Sequence, residues 1–524
     1  MSGITRRQFG AAAGIVGIGG PSGLTPVAAL AADPPPKRGG VWRIARNRTV
    51  PGMDVQRVSE HFTSLTSMYD YLVEGVVDPK TYELKLLPGL ATSWQFENDD
   101  KRVIFNLRRD VEFQDGSKFN AAVAKWNLDR MRGNPRSFLA SNLTDVSNVK
   151  VLNDYTVAIE LQAPSSPLLY VLSSAYSWGG MVSQAFQEKF GDDELNRKGC
   201  GSGAFRLKTW LVDDRVVLER NPNYWKRGVD NKPLPYLDGM EDIYRPKIDQ
   251  ATIELRTGAV DSVHFPVPRD VATMRRDPNL EYVELPPGEY QDGTCGFNQR
   301  KGPFTNINLR KACCYAIDRE RLAKIAGFGI ARPHAFAYVR EGMPGWSPKD
   351  WPDYSYNAAK AKELLATVNP RGVNVSLSVI AREPDVTYGE LFKAMWDAVG
   401  VRTELRAIER LEWLSAMKKD NYEACMWQGS VVPGGFVRDR LFTGAPSNWT
   451  NISLPALDKA LIEDSQTLST AKRHEIMKNA FKMLYEEALI TNGTATTYAV
   501  GSNKKVRGVR SYWRVLVANE IWMA

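Results

Sequence analysis

Histidine and cysteine are scarce in this chain, and their scarcity removes several chemistries at once. The 524 residues hold four histidines, His61, His264, His334 and His474, scattered without metal-ligand spacing. They read as structural or surface side chains, with no metal and no cofactor expected. Five cysteines are too few for a disulfide scaffold in a chain this long. No run of five basic residues occurs, so a nucleic-acid surface has little support. No G-x-S-x-G, Walker A, H-E-x-x-H or strand-following G-x-G-x-x-G is present. Enzyme action is therefore the weaker class. No stretch approaches the roughly 20 apolar residues that span a bilayer, so a soluble mature chain is expected. No internal repeat is evident.

What is present is ordinary for a globular protein. Hydrophobic residues make up 43% and charged residues 24%, and the net charge of +8 is spread along the chain. The length suggests two to four domains. The N-terminus reads as an address. Thr5-Arg6-Arg7-Gln8-Phe9 precedes a short apolar run, and Ala29-Leu30-Ala31 offers a small-residue cleavage site. Arg6 and Arg7 ahead of such a run make a Tat-type export signal, residues 1–31. Residues 32–40, with prolines 34 to 36, read as a tether.

The rest is organised around residues 199–225. Gly199, Gly201 and Gly203 lead into a strand holding Phe205 and Leu207. Asp213 and Asp214 turn it, and Val216 and Leu218 alternate in a second strand. The wording Gly-Ser-Gly-Ala-Phe-Arg-Leu, Trp210, then Val-Leu-Glu-Arg-Asn-Pro-Asn-Tyr-Trp resembles the signature of the bacterial extracellular solute-binding proteins, family 5. Residues 72–80, 87–94, 309–312 and 315–319 carry similar family wording.

Periodicity fills in the elements. A helix is expected over 59–72, on Phe62, Leu65, Tyr69 and Leu72. Hairpins through Val103, Phe105 and Leu107, and through Val157, Ile159 and Leu161, enclose a helix capped by Asn120. A second helix is expected to bury Leu309, Ala312, Cys313, Ala316 and Ile317. Val373, Val375, Leu377 and Val379 alternate as a strand; Tyr388, Leu391, Met395 and Val399 form a helical stripe; Val401, Thr403 and Leu405 alternate again. Strand, helix, strand predicts parallel strands joined by a right-handed crossover. Ligands bind such sheets beyond the strands' carboxyl ends. A short strand over 422–427 is followed by a loop over 429–438, and two helices then run over 454–468 and 471–489.

The resemblance implies a two-lobed α/β periplasmic binding protein of type II, in three domains. Domain I takes 41–78, 199–295 and 498–524; an inserted small α+β domain II takes 79–198; domain III takes 296–497. It implies the substrate-binding component of an ABC importer, in the periplasm as a monomer, delivering a peptide-like or small anionic organic solute to a membrane permease. The alternatives are a nickel or metal-chelate binder and an exported enzyme on the same scaffold.

Site residues follow from the same resemblance. Arg382, just past the first parallel strand, matches a position that grips a ligand carboxylate, for which a planar guanidinium suits. Trp413 and Trp427 match tryptophans that wall the cleft. Three residues after Trp427, where peptide binders carry an aspartate for the ligand's amino terminus, this chain has Ser430. A buried ammonium without an acid is costly. The expected ligand is therefore an anion lacking a free α-ammonium, such as a blocked peptide, an opine or a sugar acid, unless the acid comes from elsewhere, for example Glu60 or Asp54. Cys295 and Cys425 match regions that some relatives link by a disulfide.

Overall fold

In the computed structural model the chain is described at residues 35–58, 62–78, 84–431, 436–445, 447–511 and 515–524. The expected export signal with Arg6 and Arg7, and Glu60, lie outside the described residues.

One mixed sheet of twelve strands runs through the molecule. Ten of them lie side by side in the order Val401–Ile408, Val373–Ile380, Ala424–Val431, Leu280–Phe297, Thr494–Asn503, Ser262–His264, Val41–Arg46, Gly239–Tyr244, Arg215–Arg220 and Phe205–Leu211. The long strand Leu280–Phe297 and the return strand Thr494–Asn503 are antiparallel neighbours at its middle, with a break in their ladder between Glu284 and Glu289. The boundaries expected at 295/296 and 497/498 fall inside these two continuous strands.

The central hairpin forms as its alternation requires. Phe205–Leu211 pairs antiparallel with Arg215–Arg220, and Asp213 turns with φ +58°. The glycines before it allow a close approach. A Cβ on Gly201 would lie 2.1 Å from the Met68 carbonyl oxygen, and one on Gly203 would lie 2.5 Å from Met68 C. Gly203 N–H donates to Met68 O at 3.0 Å and Phe205 N–H to Ser67 O at 3.1 Å. These bonds take the carbonyls that a helix over 59–72 would need. Among the described residues the helix there is only Thr63–Thr66, so tertiary pairing overrides a local helical period.

A separate four-stranded sheet, ordered Ala91–Glu97, Arg102–Leu107, Thr156–Leu161 and Val146–Asn153, carries the helix Ala121–Gly133. Asn120 Oδ1 accepts the Val123 N–H at 3.0 Å, the expected cap. Val103, Phe105, Val157, Ile159, Leu128 and Met131 join one hydrophobic cluster, shared with the first strand and the C-terminal residues. Two further clusters line the part of the large sheet near Val373–Ile380, and they hold different side chains of the same strands, Cys295 in one and Cys425 in the other. The chain is thus two lobes of core joined through the long and return strands.

The strand–helix–strand unit is as its pattern predicts. Val373–Ile380 and Val401–Ile408 are parallel, in register from Val373↔Val401 to Ile380↔Ile408. The helix between them, Asp385–Asp397, buries the expected Tyr388 and Met395, with Val399 buried just past its end and Leu391 half-buried, and it sets Phe392 and Trp396 in line with Tyr388. Spacing of i, i+4 and i+8 puts these three large rings on one stripe, and each stabilises the fold by about 1.5–3 kcal/mol on burial. Ala424–Val431 joins the other side of Val373–Ile380, also parallel, and extends four residues past the expected strand end. Residues 429–431 are therefore ladder, not loop.

Candidate functional site

The carboxyl ends of Val373–Ile380 and Ala424–Val431 meet the long strand at one rim. Arg382 stands two residues past Ile380 with its side chain 38% exposed, and Arg382 Nε donates to Asp385 Oδ2 at 2.8 Å. Asp385 is buried in the first turn of its helix. Burial pushes the Asp385 carboxyl pKa up, while the Arg382 bond and the Gln428 main-chain amide favour its ionised form. The bridge fixes one edge of the guanidinium and leaves the side chain partly open to solvent.

Gln428 connects this pair to a second acid. Its side-chain Nε2 donates to Asp292 Oδ1 at 2.8 Å, and Thr496 Oγ1 donates to Asp292 Oδ2 at 3.2 Å. Asp292 is only 7% exposed. It lies on the long strand at a bulge, where the register with Ala424–Val431 shifts between Gln291 and Thr294, and Gly293 takes φ +70°. Tyr388 and Thr494 share a hydroxyl bond of 2.5 Å beside it. Burial raises the Tyr388 pKa, and the Asp292 charge raises it further.

Beyond Asp292 the rim is aromatic. Tyr290 faces Ser430 in one ladder and Thr496 in the other. Its ring stands 4.1 Å from that of Tyr498 and 5.3 Å from that of Phe265, centroid to centroid. Phe265 holds φ +56°, a left-handed backbone that an aromatic residue rarely adopts, fixed by its N–H donating to Ala499 O at 3.1 Å. Such strain persists where the surroundings over-determine it and clusters at ligand clamps. The rim thus holds a partly exposed cation, a buried acid and a cluster of aromatic rings.

Several expected residues are placed differently. Trp413 and Trp427 are 1% and 2% exposed and pack edge-on with Trp449, centroids 5.5–6.0 Å apart. Alternation turns Trp427 to the face opposite Gln428, into the core, and Trp413 Nε1 reaches Ser378 O at 3.4 Å. They are core rings, not a cleft wall. Ser430 sits on the ladder opposite Tyr290. Asp54 is unavailable to a ligand. It is fully buried, and Arg130 Nη2 holds its Oδ2 at 2.6 Å.

The expected disulfide is absent. Cys295 and Cys425 are buried free thiols. Cys295 pairs with Met426 and Gly296 with Cys425, so the two cysteines are offset by one residue. Successive side chains point to opposite faces of a sheet, which puts the thiols in different clusters and out of bonding range. Burial raises the pKa of both.

Asp292, Gln428, Thr496, Tyr290 and Phe265 escaped the reading of the sequence. One signal was available: Asp292 is the sole charge in an otherwise uncharged strand end, residues 290–297, beside a glycine. Farther off, Ser166 crosses to the helix Pro455–Gln466. Its N–H donates to Ser465 O at 2.8 Å and its Oγ to Asp464 O at 3.0 Å. Among the described residues no group of three or more metal-binding side chains occurs, and no helix is long and apolar enough to cross a membrane.

A sequence profile of the bacterial extracellular solute-binding proteins, family 5, matches residues 85–446. The glutathione-binding protein GsiB of Salmonella typhi is 32% identical over 306 residues, which cover 56% of this chain and 56% of that protein. The chain thus spans little more than half the length of the curated relatives it matches. Among solved structures, the periplasmic binding protein DppA of Helicobacter pylori, in complex with peptide STSA, superposes with a TM-score of 0.77 at 21% identity, covering 93% of this chain and 98% of that one. NikA of Brucella suis, in complex with Fe(III)-EDTA, gives 0.80 at 18% identity, covering 94% and 100%.

Proposed function

Because this chain belongs to the bacterial extracellular solute-binding proteins, family 5, we propose that it is the solute-capturing component of an ABC importer. It holds a peptide-like or small anionic organic solute between two lobes and passes it to a membrane permease. One lobe takes residues 41–78, 199–295 and 498–524 with the inserted 79–198, and the other takes 296–497. The chain is exported through Arg6 and Arg7, acts in the periplasm as a monomer, and makes or breaks no bond.

The observation that carries this reading is Arg382. A partly exposed guanidinium at the carboxyl end of a parallel strand, oriented by a buried carboxylate, is a preorganised anion grip. Binding energy then shifts the open–closed equilibrium of the lobes. The glutathione-binding relative and the peptide-bound neighbour make short peptides the first probes.

The test is a solute library read by thermal shift. A solute at 100 times its dissociation constant adds about 2.7 kcal/mol of stability. Stabilisation by carboxylate-bearing solutes, without multiple-turnover product, is the expected result. Sustained turnover that tracks the purified protein would overturn it.

A further inference from the structure

We infer that the chain carries its own closing latch: a loop of one lobe caps a helix end in the other, and this contact holds part of the population closed before any solute arrives. The latch presupposes the two lobes of the reading above. The last carbonyls of a helix lack partners within it. At the end of Pro455–Gln466 the lobe's own Thr467 meets two of them, donating its Oγ1 hydroxyl to Glu463 O at 2.7 Å and its N–H to Asp464 O at 3.2 Å. The next is met from the other lobe. Ser166, in the inserted small domain, donates its N–H to Ser465 O at 2.8 Å, and its Oγ adds a bond to Asp464 O at 3.0 Å. A helix packed in one lobe is thus finished by a residue 298 positions before its Asp464.

The contact is dry and both sides of it are stiff. Ser165 is 4% exposed, and Asp464 and Ser465 are 7% exposed each. Pro164 and Pro167 bracket the two serines, fixing φ at their own positions and restricting the residue before each. On the other side Arg473 binds both carboxylate oxygens of Asp464, at 2.9 and 3.0 Å, which ties the helix end to the next helix, Thr470–Glu486. Preformed partners lose little freedom when they meet, so more of each bond's energy is left to favour closure. The other lobe's charges also reach Tyr176. Burial and then Tyr170 raise its hydroxyl pKa, and Asp439 and Arg440, on the helix Phe436–Leu441, act on it as well. Arg440 is itself seated over the Trp449 ring at 4.6 Å.

Water replaces both bonds when the lobes part, so each is worth only about 2- to 13-fold in the ratio of closed to open molecules. A bias of that size sets the ratio without locking it. Solute contacts then shift a closing equilibrium that already exists, instead of supplying all of it.

Single-molecule energy transfer between dyes at Lys150→Cys and Lys472→Cys, one on each lobe, reads this ratio in the full mature chain freed of solute by unfolding and refolding. Both lysines are exposed, and the five native thiols are buried. A closed population should be present without solute. Ser166→Ala should lower the closed-to-open ratio about 2- to 13-fold, and Ser166→Pro, which removes the N–H as well, should lower it further. Absence of a closed population in the solute-free chain, or an unchanged ratio in Ser166→Ala, would overturn the latch while leaving solute capture intact. The first measurement needs no change at the contact, so a misfolded variant leaves the test standing.

Discussion

Two charged clusters in this chain are built in opposite ways. Around Asp54 everything is saturated: Arg130 bridges Asp54 and Asp192 at 2.6 and 3.0 Å, and Gln56 Oε1 accepts from the same guanidinium at 2.7 Å. Asp54 is fully buried, so its charge is met entirely from within the fold. At the sheet rim, Arg382 is bound through one edge to the buried Asp385 and keeps its side chain 38% exposed. The first arrangement locks a loop to a helix. The second leaves oriented charge for something that arrives later. A cluster's saturation, more than its burial, separates scaffold from site.

The largest effect should come from breaking the saturated cluster. Arg130→Ala leaves Asp54 buried without its cation and should cost about 3–5 kcal/mol of stability by urea unfolding. Solute affinity of the folded fraction should stay within about twofold. Next is Arg382. Its replacement by alanine should lower affinity for carboxylate solutes by about 10- to 150-fold, with Arg382→Lys intermediate, because an ammonium keeps the charge but loses the fork. A large stability loss with unchanged affinity would move Arg382 into the scaffold class.

His334 sharpens the same contrast as a saturated neutral group. It is buried, with Nε2 against Val339 O at 2.9 Å and Nδ1 facing Arg332 Nη1 at 3.4 Å. Burial, and then the Arg332 charge, push its pKa down from 6.5 to about 3. The unfolded chain therefore takes up the proton first. The stability contributed is fully present above pH 6.5 and is lost as pH falls from there toward 3. At one pH unit below 6.5 the loss should approach roughly 1.4 kcal/mol. Melting at pH 7.5 and 5.5 checks it, and His334→Gln should show the shallower fall. The smallest effect concerns Ser166. Removing its hydroxyl as Ser166→Ala should shift the lobes toward opening by about 0.5–1.5 kcal/mol, read as a larger radius of gyration without solute.

Much of this architecture was legible in the sequence because it is local. The hairpin at Phe205–Arg220, the Asn120 cap and the parallel unit around Asp385–Asp397 all follow from alternation, caps and helical period. So does the place of Arg382, since a strand's end can be read from its pattern. What was illegible depends on contacts between distant segments. The helical period over 59–72 gave way to Gly203 and Phe205, more than 130 residues on. Trp413 and Trp427 have no local sign of which face they take. The Cys295–Cys425 pairing failed by one residue of register, which only the ladder reveals. Asp292 takes hydrogen bonds from Gln428 and Thr496, 136 and 204 residues away.

The most direct measurement is mass spectrometry of small molecules released from the chain purified without refolding, alongside the Arg382→Ala variant prepared identically. The account predicts a carboxylate-bearing solute at about one per chain, depleted from the variant. A released solute without an acidic group, or the same solute retained equally by Arg382→Ala, would contradict it.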